Sequence, residues 1–283
     1  MEAEIAIIGG TGIYEQSAFE NVKEVDIDTP FGKPSDRILV GEFEGRKVAF
    51  LPRHGRGHVY SPTHVPYRAN IYALKKLGVE RIISVCAVGS LKEEIKPLDI
   101  VIPDQLYDKT KFRPSTFFED VVVHVGFAEP FCPELRKITI EVVESLGYSY
   151  HPRGTYVCIE GPQFSTKAES YVHRQLGFDI IGMTALPEAK LAREAEICYV
   201  TIATVTDYDV WKEEEVDVAM VLENMAKNEE KVRNILKKLI PAIPKERNCP
   251  CKDALKYAIT THPGRISYET RRKLGIFLDK YLD

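Results

Sequence analysis

Positive charge is in short supply. The chain carries 38 Lys and Arg against 42 Asp and Glu, for a net charge of −4. A protein that neutralises nucleic-acid phosphates needs a basic face, so no nucleic acid is expected as a partner. Long apolar runs are also missing. None approaches the ~20 residues of a membrane-spanning helix, and no membrane partner is expected. The opening residues Met1-Glu2-Ala3-Glu4 are acidic and lead straight into a strand, without the basic and apolar regions of a secretory signal, so the expected compartment is the cytoplasm. Two nucleotide signatures are incomplete. Gly9-Gly10-Thr11-Gly12 has no third glycine at Tyr14 or Glu15, as a dinucleotide fingerprint needs, and no Gly-Lys-Ser/Thr follows, as a Walker A loop needs. No Cys/His group has the chain spacing of metal ligands, so no metal is expected. Internal repeats and low-complexity tracts are absent.

What is present is an alternation of short apolar runs and amphipathic stretches over 283 residues, 44% of them hydrophobic. That pattern predicts an α/β fold with residues 1–243 as its main body. Residues 244–283, with Cys249-Pro250-Cys251 and a charged helix over Tyr268–Leu282, form a C-terminal extension packed on the same domain. The centre of the chain is Asp179–Trp211. Ile180-Ile181 stops at Gly182-Met183-Thr184, Pro187-Glu188 starts a helix, and Ile197–Val205 is a second strand. Ligands of such units collect beyond the C-terminal ends of the strands. One end here offers Met183 and Thr184; the other offers Thr206, Asp207, Tyr208 and Asp209. A lone Asp-x-Asp is most often a helix cap or a solvated turn, so its functional weight comes from its company.

Three other strand exits supply that company. Glu4–Ile13 ends in the Gly-Gly-Thr-Gly turn, whose amides suit an anion. Lys47–Leu51 runs into Pro52-Arg53-His54-Gly55-Arg56-Gly57-His58, where guanidinium can meet phosphate bidentately. Arg81–Val85 exits into the small-residue loop Cys86-Ala87-Val88-Gly89-Ser90. Asp104–Phe118 reads as a surface excursion. Phe164 and Ser165 sit where a flat ligand could stack, although ordinary packing explains an aromatic there equally well. Val216–Ile240 is a long amphipathic helix with Val218, Val221, Leu222 and Met225 on one face.

The motifs IIGGTG (7–12), DTPFGKPSD (28–36), RHGRGH (53–58), GSLKEEIKPLDIV (89–101), AEPFCP (128–133), EGPQFST (160–166), MTALPE (183–188) and ATVTDYDVWKE (203–213) occur in one order. Together they resemble the S-methyl-5′-thioadenosine phosphorylase family of the purine nucleoside phosphorylase superfamily, over roughly Glu4 to Ile240. The resemblance implies a single-domain, mixed, twisted β-sheet flanked by helices. It implies reversible phosphorolysis of S-methyl-5′-thioadenosine, and of adenosine as well, with inorganic phosphate as co-substrate and no cofactor. A broader or 6-oxopurine phosphorylase and a non-catalytic nucleoside-binding protein are the alternatives.

By position the resemblance implies Thr11, Arg53, His54, Cys86, Ala87 and Thr184 at phosphate, with Cys86 replacing the family's usual Thr. Met183 lies against the ribose. Phe164 and Ser165 wall the base, beside Thr206 and Tyr208. Val216, Val218 and Leu222 surround the 5′-methylthio group, and His124 reaches a neighbouring subunit's site in a homotrimer or a dimer of trimers. Asp207, protonated, meets purine N7, while Asp209 orients it and accepts from the 6-amino group. Of the six cysteines, Cys132 and Cys198 are the expected structural bridge. Cys249 and Cys251 are expected as a strained, reducible pair, as exposed thiols or as a surface metal clip.

Overall fold

The computed structural model describes residues 2–10, 13, 19–212 and 218–282. Alternating burial along the apolar runs builds the sheet. In β1 (Ile5–Gly9), Ala6 and Ile8 enter one core layer while Ile5 and Ile7 enter the other, the period-2 pattern of a strand covered on both faces. β2 (Glu20–Val25), β3 (Ile38–Phe43) and β4 (Arg46–Pro52) form an antiparallel meander that reaches β1 through a parallel β4–β1 pairing. Then follow α1 (Tyr67–Lys76), β5 (Arg81–Ser90), β6 (Ile100–Val101), β7 (Gln105–Lys109), α2 (Pro133–Ser145), β8 (Tyr150–His151), β9 (Thr155–Ile159), α3 (Lys167–Gln175), β10 (Ile180–Gly182), α4 (Glu188–Glu194), β11 (Cys198–Asp207), α5 (Val218–Ala242) and α6 (Tyr268–Leu278). No helix among the described residues is long and apolar enough to cross a membrane.

The strands make one mixed sheet in the order β2-β3-β4-β1-β5-β10-β9-β7, with β11 joining β5 to β6 and β6 to β8. This is the mixed, helix-flanked sheet the sequence predicts. One layer packs under α1, α4 and α6 through residues such as Ile71, Leu191 and Phe277; the other packs under α2 and α5 through Leu135, Val143, Ile235 and Leu239. Local chemistry starts the helices. Thr166 and Glu169 close a capping box on α3, and Cys132 caps α2 just before Pro133.

Two expectations change. The small-residue stretch after Val85 is no loop: β5 continues to Ser90, because β11 pairs with it from Arg81 to Gly89. On the other edge of β5, however, β1 stops at Ser84 and β10 begins only at Gly89. Residues 85–88 thus face an opening where β1 and β10 diverge. Nor is Asp104–Phe118 a surface excursion. It holds β7 on the sheet edge, and Arg113 is buried, donating to the carbonyls of Met183 and Leu186 at 2.6 Å each and to Glu160 Oε1 at 3.0 Å.

Residues beyond 243 contribute to both core layers. Cys249 and Cys251 enter one, while Leu255, Ala258, Leu274, Phe277 and Leu278 enter the other. Phe277 is the key of α6, with ring centroids 4.6 Å from Phe117 and 5.6 Å from Tyr72. Phe277→Ala should lower the unfolding free energy by about 3–5 kcal/mol in a denaturant titration; a loss within ~0.5 kcal/mol, the range of surface substitutions, would show that α6 is only appended to the core.

Candidate active site

A cavity of about 280 Å³ opens at the gap between β1 and β10, beside residues 85–89 of β5 and at the C-terminal ends of β1 and β11. Its lining gathers residues from seven separate stretches of chain, among them Arg53, Ala87, Phe164, Met183, Asp207 and Val221.

Arg53, leaving β4, is 2% exposed. It forms a two-point ion pair with Glu188 at the first turn of α4, through Nε to Oε2 at 2.8 Å and Nη2 to Oε1 at 3.0 Å. Nη2 also donates to Ser84 Oγ at 2.7 Å, and Nη1 to the Val85 carbonyl at 3.0 Å. Burial, the largest single cause, opposes the arginine's charge, but Glu188, through its charge and its hydrogen bonds, together with the other neighbours outweighs it and holds the pKa well above the ordinary arginine range. Ser84 and Tyr199 hydroxyls donate to Glu188 Oε1 at 2.8 and 2.9 Å. A guanidinium has five N–H donors. With these bonds made, Arg53 cannot present a two-pronged fork to phosphate, as the sequence suggests; one Nη1 hydrogen is left for it. Glu188 is the member sequence reading missed. Its only sequence signal was its place in MTALPE, where a helix start accounts for it.

His54 accepts no charge readily. Burial, followed by the adjacent Arg53, pushes its pKa down to about 4. At neutral pH the ring is uncharged, so its Nδ1 donates to the Tyr60 carbonyl at 2.8 Å. Nε2 is then an acceptor, and the ring stacks on His58 at 4.3 Å. Cys86 and Ala87 stand on the open edge of β5, Cys86 buried and Ala87 exposed in the cavity. Thr184 Oγ1 lies 3.3 Å from Cys86 Sγ. Met183 needs its glycine neighbour: Gly161 has φ 65°, and a Cβ there would collide with Met183 Sδ.

The carboxylates meet at the end of β11. Asp207 Oδ2 accepts from Thr206 Oγ1 at 2.6 Å, and its Oδ1 accepts the Asp209 backbone N–H at 2.7 Å. Asp209 is held in the left-handed region at φ 54°, a conformation a non-glycine residue adopts at a cost. The buried Asp209 Oδ2 has no hydrogen-bond partner among the described residues, and neither has Ser165 Oγ, also on the wall. Burial first, with the charge of Asp207 adding, pushes the Asp209 pKa up to about 6. Gly89 makes room for the pair, since a Cβ there would sit 2.8 Å from Asp207 Oδ1.

The apolar end of the cavity is Val221 and Met225 of α5. Leu222 lies outside it and is 59% exposed, because one residue along a helix turns the side chain by ~100°. Tyr208 also leaves the lining and packs edge-on against Trp211, with centroids 5.5 Å apart. His124 sits on an exposed segment away from the cavity. Thr11, Val216 and the side chain of Val218 fall outside the described residues.

The raised pKa of Asp209 has a thermodynamic sign. Unfolding returns it to about 3.9, so its proton contributes stability that is full below that value and is lost as pH rises through about 6. Asp209→Asn should therefore gain stability on wild type between pH 4 and pH 8, by ~1–3 kcal/mol. Parallel denaturation curves that keep a constant offset over this range would contradict the assignment.

Comparison with known proteins places the geometry. The model of the Phosphorylase superfamily matches residues 4–241. The S-methyl-5′-thioadenosine phosphorylase of Koribacter versatilis is 53% identical over 99% of this chain and 97% of its own. A methylthioadenosine phosphorylase structure from an antarctic soil metagenomic library has a TM-score of 0.94 at 50% identity, covering 98% of this chain and all of that one. A Schistosoma mansoni adenosine/methylthioadenosine phosphorylase variant, solved with methylthioadenosine, has a TM-score of 0.82 at 41% identity over 87% of this chain and 93% of its own. A shared sheet, a shared motif order and identity at this level over nearly the whole chain establish that this protein belongs to the S-methyl-5′-thioadenosine phosphorylase family of the phosphorylase superfamily.

Proposed function

We propose that the chain catalyses reversible phosphorolysis of S-methyl-5′-thioadenosine, and of adenosine, to adenine and the corresponding ribose 1-phosphate. The observation that carries this reading is one cavity with a buried, partly unsatisfied carboxylate pair at one end, an apolar helix face at another, and an arginine-and-amide edge between them. The C1′–N9 bond breaks as a phosphate oxygen bonds to C1′, and the released electron pair moves onto the purine. A transition state of this kind carries cationic sugar and an anionic base.

One proton on the Asp207/Asp209 pair answers the charge on the base. Sequence reading puts that proton on Asp207; the raised pKa of Asp209, driven first by burial, makes Asp209 the member that takes up a proton more readily than a free carboxylate. The acid member donates toward N7 while the carboxylate member accepts from the 6-amino group, and a 6-oxo purine has no such hydrogen to offer. The open edge of β5 at Cys86 and Ala87, Thr184, the last Nη1 hydrogen of Arg53 and Nε2 of neutral His54 are proposed to receive phosphate. His54 would accept from a phosphate O–H, a role an imidazolium could not fill. Phe164 and Ser165 face the base, Met183 the ribose, and Val221 with Met225 the methylthio group.

The exposed His124 is proposed to complete a neighbouring chain's cavity in a trimer or a pair of trimers. A sedimentation experiment that finds only a species of 32.1 kDa at active concentrations would remove that role.

Phosphate-dependent base release should be measured in parallel from methylthioadenosine, adenosine and inosine. Release from the first two with little from inosine is expected; dominant inosine cleavage would make the enzyme a 6-oxopurine phosphorylase, and no release from any would leave a binding protein. Asp207→Asn should lower kcat/KM by ~10²–10⁴ with folding unchanged, and an equally active variant would refute the acid role of the pair.

A further inference from the structure

Far from this cavity, at the opposite end of β11, four cysteines converge. Cys132 caps α2, Cys198 opens β11, and Cys249 and Cys251 flank Pro250 at the start of the C-terminal extension. Their four sulfurs all lie within 4.8 Å of one another, and every one of the residues is buried. Chain spacing gave no hint of this, because the ligands come from positions 132, 198 and 249–251. All four are buried free thiols, so the expected Cys132–Cys198 bridge and Cys249–Cys251 pair are not formed, and neither exposed thiols nor a surface clip describes them. Along the ten residues of β11 a strand rises about 30 Å, so the cluster is separate from the Asp207 end.

We propose that Cys132, Cys198, Cys249 and Cys251 form a structural tetrathiolate site for Zn²⁺. Four thiolates at ~2.3 Å from one ion stand about 3.8 Å apart, which the present cluster meets with small side-chain adjustments. The site is closed, with four protein ligands and no position for water, so its role is structural. The backbone N–H of Leu135 points at Cys132 Sγ at 3.4 Å, the kind of outer hydrogen bond that holds a metal-bound thiolate. The sulfurs of Cys198 and Cys249, 3.2 Å apart, join the body of the sheet to the extension. Binding exchanges four thiol protons for one ion and involves no electron transfer: four Cys–SH and Zn²⁺ give a tetrathiolate and four protons.

The ion would tie α2, β11 and the extension through one point. Removing it should loosen residues 249–282 and leave the cavity chemistry in place.

The test uses the full chain produced with zinc in the medium. Elemental analysis should find one equivalent of zinc per chain, and replacing zinc by Co²⁺ should give the visible bands of a tetrahedral tetrathiolate. Cys249→Ser with Cys251→Ser should lose that equivalent and lower the midpoint of thermal unfolding. If that variant does not fold, the cobalt spectrum of the wild-type chain still decides. A folded chain that holds no metal after anaerobic exposure to Zn²⁺, and whose six thiols all titrate once it is unfolded, would overturn the proposal. So would an intact mass four hydrogens short that shifts back on reduction, which would make the cluster two disulfides.

Discussion

The Arg53–Glu188 ion pair is the constraint around which the cavity is assembled. It joins the end of β4 to α4, and through Ser84, Val85 and Tyr199 it reaches β5 and β11. Two buried charges leave water at a cost of several kcal/mol each, recovered only where geometry is good and remaining donors and acceptors are used. Here four of the guanidinium's five N–H donors are used, which makes the arginine a brace. A guanidinium already neutralised by a carboxylate grips an anion weakly. In the proposed reaction that would leave the phosphate's charge free to face the cation that develops on the sugar.

The carboxylate pair shows the opposite economy. Each oxygen of Asp207 accepts one hydrogen bond, from Thr206 and from the Asp209 amide, whereas Asp209 keeps a buried oxygen without a partner among the described residues, in a left-handed conformation. Strain and an unmet hydrogen bond thus concentrate on one residue of the cavity wall. Gly89 and Gly161 are permitted no side chain because Asp207 and Met183 occupy that space. The framework of the sheet thus makes room for the chemistry at two glycines, one inside a strand and one on a turn.

Much of this was legible along the chain. Strand exits, the amphipathic face of α5 and the order of eight motifs identify the fold and the main members of the cavity. Short-range rules fail where the deciding neighbour is far away. The stretch from Cys86 to Ser90 looked like a loop because its residues are small; it is a strand because β11 lies beside it. Leu222 and Val221 are adjacent, and only the docking of α5 selects which faces the ligand. Glu188 reads as an ordinary first-turn acid until a guanidinium from residue 53 is placed against it.

Apolar periodicity, glycine placement and motif order are properties of neighbouring residues, so the sequence by itself determined the α/β class, the strand-end location of the site and the carboxylates and basic loop that furnish it. Charge state and convergence are properties of space. Tertiary structure alone decided that Arg53 is committed to Glu188, that burial holds the pKa of His54 down and that of Asp209 up, and that cysteines from three distant segments share one small volume. Desolvation and Coulomb interaction act over a few ångströms, and only the folded chain sets which groups stand that close.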